Sequence, residues 1–275
     1  MTLTLGNGAL SERPAGRFNF DLPPGPKLYW EPVPYRVRAF VEREAIVDSR
    51  QAKLLEETGR LPVFYFPSGD LREDLLAPSN KAEHSSAKGE ATYRSIRVGE
   101  RVVPDAVWAY DDPVEGAEFL RGHVALVWNA VDEWFAEDAQ LFGHPRDPYS
   151  RIDVWETTRH VRVLLGGEAV ADSRRAKMLV ETGLPPRYYV PVEDVREELL
   201  EPSSKKTRCA YKGSASYWHV RVGDTFEDDL VWTYRDPQRD AEPVRDLLAF
   251  FNERVDLELD GEQQERPQTQ WSRPA

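Results

Sequence analysis

The sequence predicts a mainly β protein of the α+β type, built as two tandem copies of a small antiparallel β domain, each with one short and one C-terminal helix. Three observations support this prediction. The chain repeats itself over a long segment, and each repeat contains short alternating runs bounded by glycine and proline. The composition, with 40% hydrophobic and 11% aromatic residues among 275, supplies a sizeable core and excludes wholesale disorder.

The internal repeat is the dominant feature of the chain. Residues 37–113 match residues 161–237 at a constant offset of 124 without a gap, and 37 of these 77 positions are identical. A period of this length is too long for one unit of a solenoid. We therefore expect two domains, each with its own hydrophobic core.

The copies and the composition around them divide the chain into five segments. Residues 1–28 are rich in glycine and proline and are expected to form an extended N-terminal segment. Residues 29–138 and 151–258 are the two domains, and residues 139–150 between them have the glycine and proline content of a linker. Residues 259–275 are polar and are expected to be a disordered tail.

The second copy of the repeat shows which elements are predicted at the start of each domain. Two short runs, 160–165 and 168–171, flank Gly166-Gly167, which is a hairpin signal. Asp172 or Ser173 is then expected to cap a short helix over the following residues, because Ala176, Leu179 and Val180 fall on one helical face.

The later part of each copy is predicted to form strands followed by a helix. Strands are expected over 187–190, 214–222 and 230–234, where aromatic and β-branched residues dominate. A closing helix is expected over 240–255 in the second copy and 114–135 in the first, because apolar residues recur there at helical spacing.

Charge and cysteine content exclude several classes of partner. A formal charge of −12 repels phosphate backbones and anionic lipid, so neither nucleic acid nor a membrane is an expected partner. The one cysteine, Cys209, allows no intramolecular disulfide and no zinc site with two or more cysteines, and the five histidines show no metal-binding spacing, so no metal and no cofactor is expected. No signal peptide or membrane span is visible, and a cytoplasmic protein is expected.

The repeated motifs resemble a known family. The strings are D-S-R-x-A, E-T-G, P-x-x-Y-Y-x-P, D-V-R-x-x-L-L-x-P, K-G-x-A-x-Y-W and V-W-x-Y-x-D-P, found in the second copy at 172–176, 181–183, 185–191, 194–202, 212–218 and 231–237. In order and spacing they resemble the bacterial and fungal family of domain of unknown function 427. Arginine outnumbers lysine 28 to 8, which also suggests a GC-rich bacterial genome.

The resemblance implies a fold but no settled activity. It implies a β-tent-like domain, in which two antiparallel sheets meet along one edge, and this chain is identified as a tandem member. Many proteins of similar fold hold a zinc ion on four cysteines. The stabilisation that such an ion provides must here come from packing or hydrogen bonds. The family carries a nucleotidyltransferase-like label, and the fold is similar to that of methionine-R-sulfoxide reductases.

An aromatic set in the second copy is the strongest candidate for a binding site. Its members are Tyr189, Tyr211, Tyr217, Trp218 and Trp232, with Lys212 or Arg196 as a polar anchor. Ring faces in a cleft would bind a small planar or cationic ligand. Alternate side chains of a strand share a face, so only one of Tyr217 and Trp218 can join Trp232. The alternative is that the aromatic residues are core, Lys212 belongs to a turn and Arg196 to a loop salt bridge.

Three functions follow from these residues. The first is a small-molecule binding protein with its working cleft in the second domain, because Tyr211 and Trp218 correspond to Ala87 and Arg94 in the first copy. The second is an interaction module with a protein partner and no ligand pocket. A nucleotidyltransferase or reductase has less support, since no nucleophile and base can be paired and Cys209 has no histidine partner; whether the protein is an enzyme stays open.

The cysteine and histidine content makes a prediction about metal. Elemental analysis of the purified protein is expected to find no stoichiometric zinc, and EDTA is expected to leave the melting temperature unchanged, because structural zinc supplies folding free energy that a chelator removes. One zinc atom per chain would contradict this interpretation.

Overall fold

The computed structural model describes residues 2–273, which form two compact units, residues 2–147 and 148–273. Each unit contains one copy of the repeat, folded as a seven-stranded and a four-stranded sheet. All pairs of neighbouring strands in these sheets are antiparallel. The tandem, mainly β architecture predicted from the repeat is therefore confirmed.

The first domain has its larger sheet in the order β1-β4-β5-β9-β8-β7-β6 and its smaller sheet in the order β11-β10-β2-β3. The strands are β1 Leu28–Pro32, β2 Val37–Val41, β3 Glu44–Ser49, β4 Lys53–Glu57, β5 Val63–Pro67, β6 Leu76–Ser85, β7 Gly89–Val98, β8 Arg101–Ala109, β9 His123–Leu126, β10 Glu133–Ala136 and β11 Ala139–Leu141. Short 3-10 turns occupy Ser68–Asp70, Glu73–Leu75, Glu118–Leu120 and Trp128–Ala130.

The second domain repeats this plan, with sheets in the order β12-β15-β16-β20-β19-β18-β17 and β14-β13-β21-β22. The strands are β12 Ile152–Glu156, β13 Val161–Leu165, β14 Glu168–Ser173, β15 Lys177–Glu181, β16 Arg187–Val190, β17 Leu200–Cys209, β18 Gly213–Val222, β19 Thr225–Pro237, β20 Leu248–Phe250, β21 Asp256–Leu259 and β22 Glu262–Gln263. Its 3-10 turns are Val192–Asp194, Glu197–Leu199 and Arg239–Val244.

The large sheet of the first domain buries side chains on both faces. Phe64 and Phe66 of β5 belong to a core cluster shared with the small sheet, whereas Tyr65 between them belongs to a separate cluster. This division follows from the alternation of side chains along a strand. The second face, which carries the tyrosine, is the one on which a cavity forms.

The short helix expected after Asp172 is not present. Residues 177–181 form β15, which pairs with β12 on one side and β16 on the other. Leu179 and Glu181 share one face of this strand and are both buried. A strand with one buried face is expected to show an apolar residue at every second position, and the inward-facing Glu181 interrupts that alternation. The sequence pattern therefore does not identify this segment as a strand.

The two closing helices are also absent, and this expectation was wrong. In the first domain residues 114–135 contain two 3-10 turns, β9 and the start of β10, and Gly122 has φ +77°, which a continuous helix does not allow. In the second domain residues 240–255 contain a 3-10 turn and β20, and Asp246 has φ +60°. Central strands that are buried on both faces are continuously apolar, so their sequence is compatible with either element.

The two terminal segments are hydrogen-bonded to their own domains. The N-terminal segment, expected to be extended, folds into turns, and Thr58 Oγ1 donates to the carbonyl oxygen of Leu10 at 2.7 Å. The tail, expected to be disordered, packs at Thr269, whose hydroxyl donates to Glu253 at 2.6 Å. Pro274 and Ala275 lie outside the described residues. Within residues 2–273, no helical segment has the length and apolar character needed to cross a bilayer.

Gly213, the first residue of β18, should tolerate no side chain. Its φ is +98°, and a Cβ atom would lie 2.9 Å from the carbonyl oxygen of Asp236. We expect Gly213→Ala to lower stability well beyond the roughly 1–2 kcal/mol of a left-handed residue, because the backbone must also shift. Gly223→Ala is the matched control, since its φ is +53° with nothing within 4 Å. Urea denaturation of both variants measures the difference, and equal losses would contradict it.

Candidate functional site

A cavity of about 270 Å³ opens on the large sheet of the second domain. Its aromatic lining residues are Tyr189, Tyr217, Trp232, Tyr234, Phe251 and Trp271. Its charged lining residues are Glu181, Arg187, Arg208 and Lys212. The remaining lining residues are Leu179, Leu184, Pro185, Thr207 and Cys209. The cavity thus combines ring surfaces with a small number of charged groups, as ligand pockets commonly do.

The aromatic wall is a row of cross-strand neighbours. Tyr189 on β16 pairs with Ala249 on β20, Ala249 pairs with Trp232 on β19, and Trp232 pairs with Tyr217 on β18. Because Ala249 has almost no side chain, the two rings on either side approach one another, and Trp232 Nε1 donates to the Tyr189 hydroxyl at 3.1 Å. Burial raises the pKa of Tyr189 to about 12, so this hydroxyl stays protonated.

A buried ion pair forms the polar part of the cavity. Lys212, in the turn before β18, donates to the carboxylate of Glu181 at the end of β15, and both side chains are almost fully buried. Burial acts to lower the pKa of Lys212, but the charge and hydrogen bond of Glu181 together with the nearby Cys209 and Tyr189 outweigh it, and the pKa is raised. Burial would raise the pKa of Glu181, but the charge of Lys212 contributes to a net lowering. Both residues are therefore charged at neutral pH.

A second buried ion pair supports the aromatic wall. Both terminal nitrogens of Arg187 donate to the Glu253 carboxylate at 2.6 Å. The guanidinium carbon lies 5.7 Å from the ring centre of Trp232, 5.8 Å from Phe251 and 5.6 Å from Trp271, within the range of cation–π attraction. Trp271 belongs to the tail, so a segment beyond the last strand completes the cavity.

The first domain has a cavity at the equivalent place. It measures about 450 Å³ and is lined by Tyr65, Tyr93, Trp108, Tyr110, Glu57 and Lys88 among others. Lys88 forms the same buried ion pair with Glu57, and Trp108 Nε1 donates to the Tyr65 hydroxyl at 3.3 Å. Each of these six residues lies 124 positions before a lining residue of the second cavity. The two domains therefore build one kind of site twice.

The walls of the two cavities differ at a few positions. Arg187 and Phe251 of the second domain correspond to Val63 and Val127 of the first. In the first cavity Arg60 adds a second cation 3.3 Å from Glu57. The second cavity is therefore smaller and richer in aromatic rings, and three cations line it with one carboxylate.

Four of the seven residues proposed from the sequence line the cavity together, namely Tyr189, Lys212, Tyr217 and Trp232. Tyr211 is buried outside the lining, and Trp218 points to the opposite face of β18 from Tyr217. Arg196 is exposed and paired with Glu168 and Glu198. The loss of Tyr211 and Trp218 therefore does not distinguish the first cavity, whereas Arg187, Phe251 and Trp271 are present only in the second.

Sequence reasoning missed several lining residues. Glu181 carried a usable signal, because the Glu-Thr-Gly string occurs in both copies. Arg187 and Trp271 carried none, since the first is valine in the other copy and the second lies outside the repeat. Among residues 2–273 no three histidine, cysteine, aspartate or glutamate side chains are grouped to hold a metal ion.

Comparison with known proteins identifies the family. The model of the family described as "Domain of unknown function (DUF427)" matches the chain twice, over residues 29–137 and 153–261. These ranges cover more than half of the chain, which therefore belongs to this family and contains two of its domains. No curated protein matches the chain.

Breaking the buried ion pair should destabilise the second domain. Glu181→Gln leaves the Lys212 ammonium buried without its carboxylate, a change that commonly costs about 3–5 kcal/mol. The exposed control Glu198→Gln, which breaks a surface pair with Arg196, should cost far less, because solvent screens the two charges. Urea denaturation measures both, and the double variant Glu181→Leu with Lys212→Leu should recover much of the loss. A small effect of Glu181→Gln would contradict the charged, buried state of the pair.

The same pair should contribute to acid unfolding. The pKa of Glu181 in the folded state lies below its ordinary value of 4.5, so its stabilising contribution is complete above that value and is lost as the pH falls through the folded pKa. Stability of the parent protein should therefore fall more steeply below pH 4.5 than that of the double leucine variant. Parallel pH profiles would contradict this assignment.

Proposed function

We propose that this tandem member of the DUF427 family binds a small planar molecule in the cavity of its second domain. The observation that carries the proposal is the duplicated cavity, which has an aromatic wall, a tyrosine–tryptophan hydrogen bond and a buried lysine–glutamate pair in both domains. A buried ion pair gives little net stability compared with apolar packing. Its presence in both cavities therefore supports a role in recognition.

The shape and charge of the cavity select the ligand. A volume of about 270 Å³ suits a molecule of one or two rings. Tyr217 and Trp232 offer ring surfaces, and the Lys212 ammonium faces the electronegative edge of the ligand. Arg187 is paired with Glu253 and Lys212 with Glu181, so Arg208 gives the lining one cation more than these carboxylates balance, and the site favours a neutral or anionic ligand over a cationic one.

The proposal is binding and includes no transferase step. Glu181 is the one carboxylate that lines the second cavity among the described residues, and it already pairs with Lys212. Magnesium sites for phosphoryl chemistry use carboxylates that are free to coordinate the ion. We also propose that the two sheets of each domain have a β-tent-like arrangement and that the protein is bacterial and cytoplasmic. These three statements are inferred from the sequence.

Three small ligands of equal ring size test the selection by charge. Benzamide and benzoate at millimolar concentration should raise the melting temperature of the full chain, whereas benzylamine, which is cationic at neutral pH, should not. Calorimetric titration gives the affinities. Stabilisation by benzylamine alone would contradict the proposal, and no effect of any planar probe would favour an interaction module.

A matched pair of tryptophan variants tests the location. Trp232→Ala should weaken benzamide binding by about 2 kcal/mol, roughly 30-fold, because it removes a wall of the second cavity. Trp108→Ala removes the equivalent ring of the first domain and should leave the affinity nearly unchanged. Melting curves of both variants serve as the stability control. Equal losses of affinity would mean two working sites, and equal losses of stability with no change in affinity would mean that the rings are core.

A further inference from the structure

We propose that Glu56 and Asp147 share one proton in the first domain, and that this proton holds residues 2–11 in place until alkaline conditions remove it. The inference is independent of the proposed function, because neither residue lines one of the two cavities. It gives the protein a pH-sensitive contact between its N-terminal segment and the first domain.

Glu56 is a buried carboxyl group that meets no donor. It lies on β4 opposite Tyr29 of β1, its exposed fraction is 0%, and among residues 2–273 neither of its side-chain oxygens has a hydrogen-bond partner. A carboxylate in such a place loses its hydration without compensation, so the group is expected to bind a proton. Each of the other three buried glutamates of the described chain pairs with a cation, in the pairs Glu57–Lys88, Glu181–Lys212 and Glu253–Arg187.

Asp147 brings a second buried carboxyl group to Glu56. Asp147 lies in the segment after β11, is 2% exposed and accepts a hydrogen bond from the backbone N–H of Leu3. Burial raises the pKa of Glu56 most, and the charge of Asp147, its capacity to accept a hydrogen bond from the protonated acid and the charge of Glu31 raise it further, to about 9. Two ionised carboxylates offer no donor to each other, whereas one proton between them makes an O–H···O hydrogen bond. The pair therefore holds that proton at neutral pH.

The elements beside Glu56 favour the protonated state. Neither β1 nor β5, the strands on either side of β4, contains a lysine, arginine or histidine, and residues 2–11 contain no ionisable side chain. β1 instead adds the carboxylate of Glu31. In the segment after β11, His144 contacts a backbone oxygen, and the charge of Arg146 acts on the hydroxyl of a tyrosine. The two charges that act on Glu56 are both negative.

Asp147 couples the proton to the N-terminal segment. Its partner Leu3 precedes Thr4, which is 0% exposed and whose carbonyl oxygen accepts a hydrogen bond from the N–H of Gly59, just beyond β4, at 2.9 Å. When Glu56 loses its proton, two like charges are buried together, and the pair gains hydration by moving apart. Glu56 is held on a strand that is paired on both sides, so Asp147 is the group that moves, and its contact with Leu3 is lost.

Replacement of Glu56 by glutamine tests the shared proton. Between the ordinary pKa of 4.5 and about 9, the folded protein holds a proton that the unfolded chain releases, so the stability of the parent falls as the pH rises. Glu56→Gln carries no such proton and can donate an N–H to Asp147 at every pH. In urea denaturation of the full chain, its folding constant should gain up to about tenfold on that of the parent per pH unit over this range. The control Glu100→Gln, at an exposed turn, should follow the parent.

Chymotrypsin tests the coupling to the N-terminal segment. At pH 9.5, cleavage after the leucines of residues 2–11 should be at least about tenfold faster in the parent than in Glu56→Gln, whereas at pH 6.5 the two proteins should be cleaved at equal rates. Comparing the proteins at one pH cancels the pH dependence of the protease. The bond after Phe18, whose exposed side chain lies outside this segment, is the internal reference.

The two measurements separate the proton from the release of the segment. Parallel stability profiles of the parent and Glu56→Gln overturn the shared proton. Diverging profiles with equal cleavage of residues 2–11 overturn the release. If Glu56→Gln does not fold, Asp147→Asn takes its place: removal of this charge should narrow the pH range over which stability falls, and an unchanged range overturns the pair.

Discussion

The buried lysine–glutamate pair is the interaction on which the arrangement of each domain depends. In the second domain it joins the end of β15 to the turn before β18, two places far apart in sequence. The glutamate must face inward on its strand, and the lysine must precede a glycine that lets the chain pass close to the backbone of Asp236. The aromatic row of Tyr189, Trp232 and Tyr217 crosses the sheet beside this pair. The small side chain of Ala249 lets the Tyr189 and Trp232 rings approach one another. The same constraints recur in the first domain.

Much of the fold could be predicted from the repeat, because an ungapped match over 77 positions implies two domains of one structure. The helices could not, and the reason is physical. An inward-facing Glu181 hides the alternation of β15, and the short apolar strand β20 has no polar face at all. Local patterns report which side chains avoid water. They fail where a charged group is buried for another reason, and such failures tend to occur at functional sites.

The candidate site was predictable to the extent that it lies along adjacent strands. The alternation rule brings Tyr217 and Trp232 to one face and sends Trp218 to the other, and the structure places them so. Arg187 and Trp271 depend on contacts between distant segments, which no periodicity records. Comparing the two copies position by position is more informative than either copy alone, because it separates the shared framework of the cavity from the walls that differ.

The position of Trp271 has a consequence for the order in which the protein matures on the ribosome. Domains generally fold as units and in the order of synthesis. The last strand of the first domain, β11, emerges before β12 of the second has been made, so the first cavity can close early. The second cavity acquires its final ring only when Trp271 emerges, after every strand of that domain. During translation the chain therefore carries one finished cavity and one that still lacks a wall.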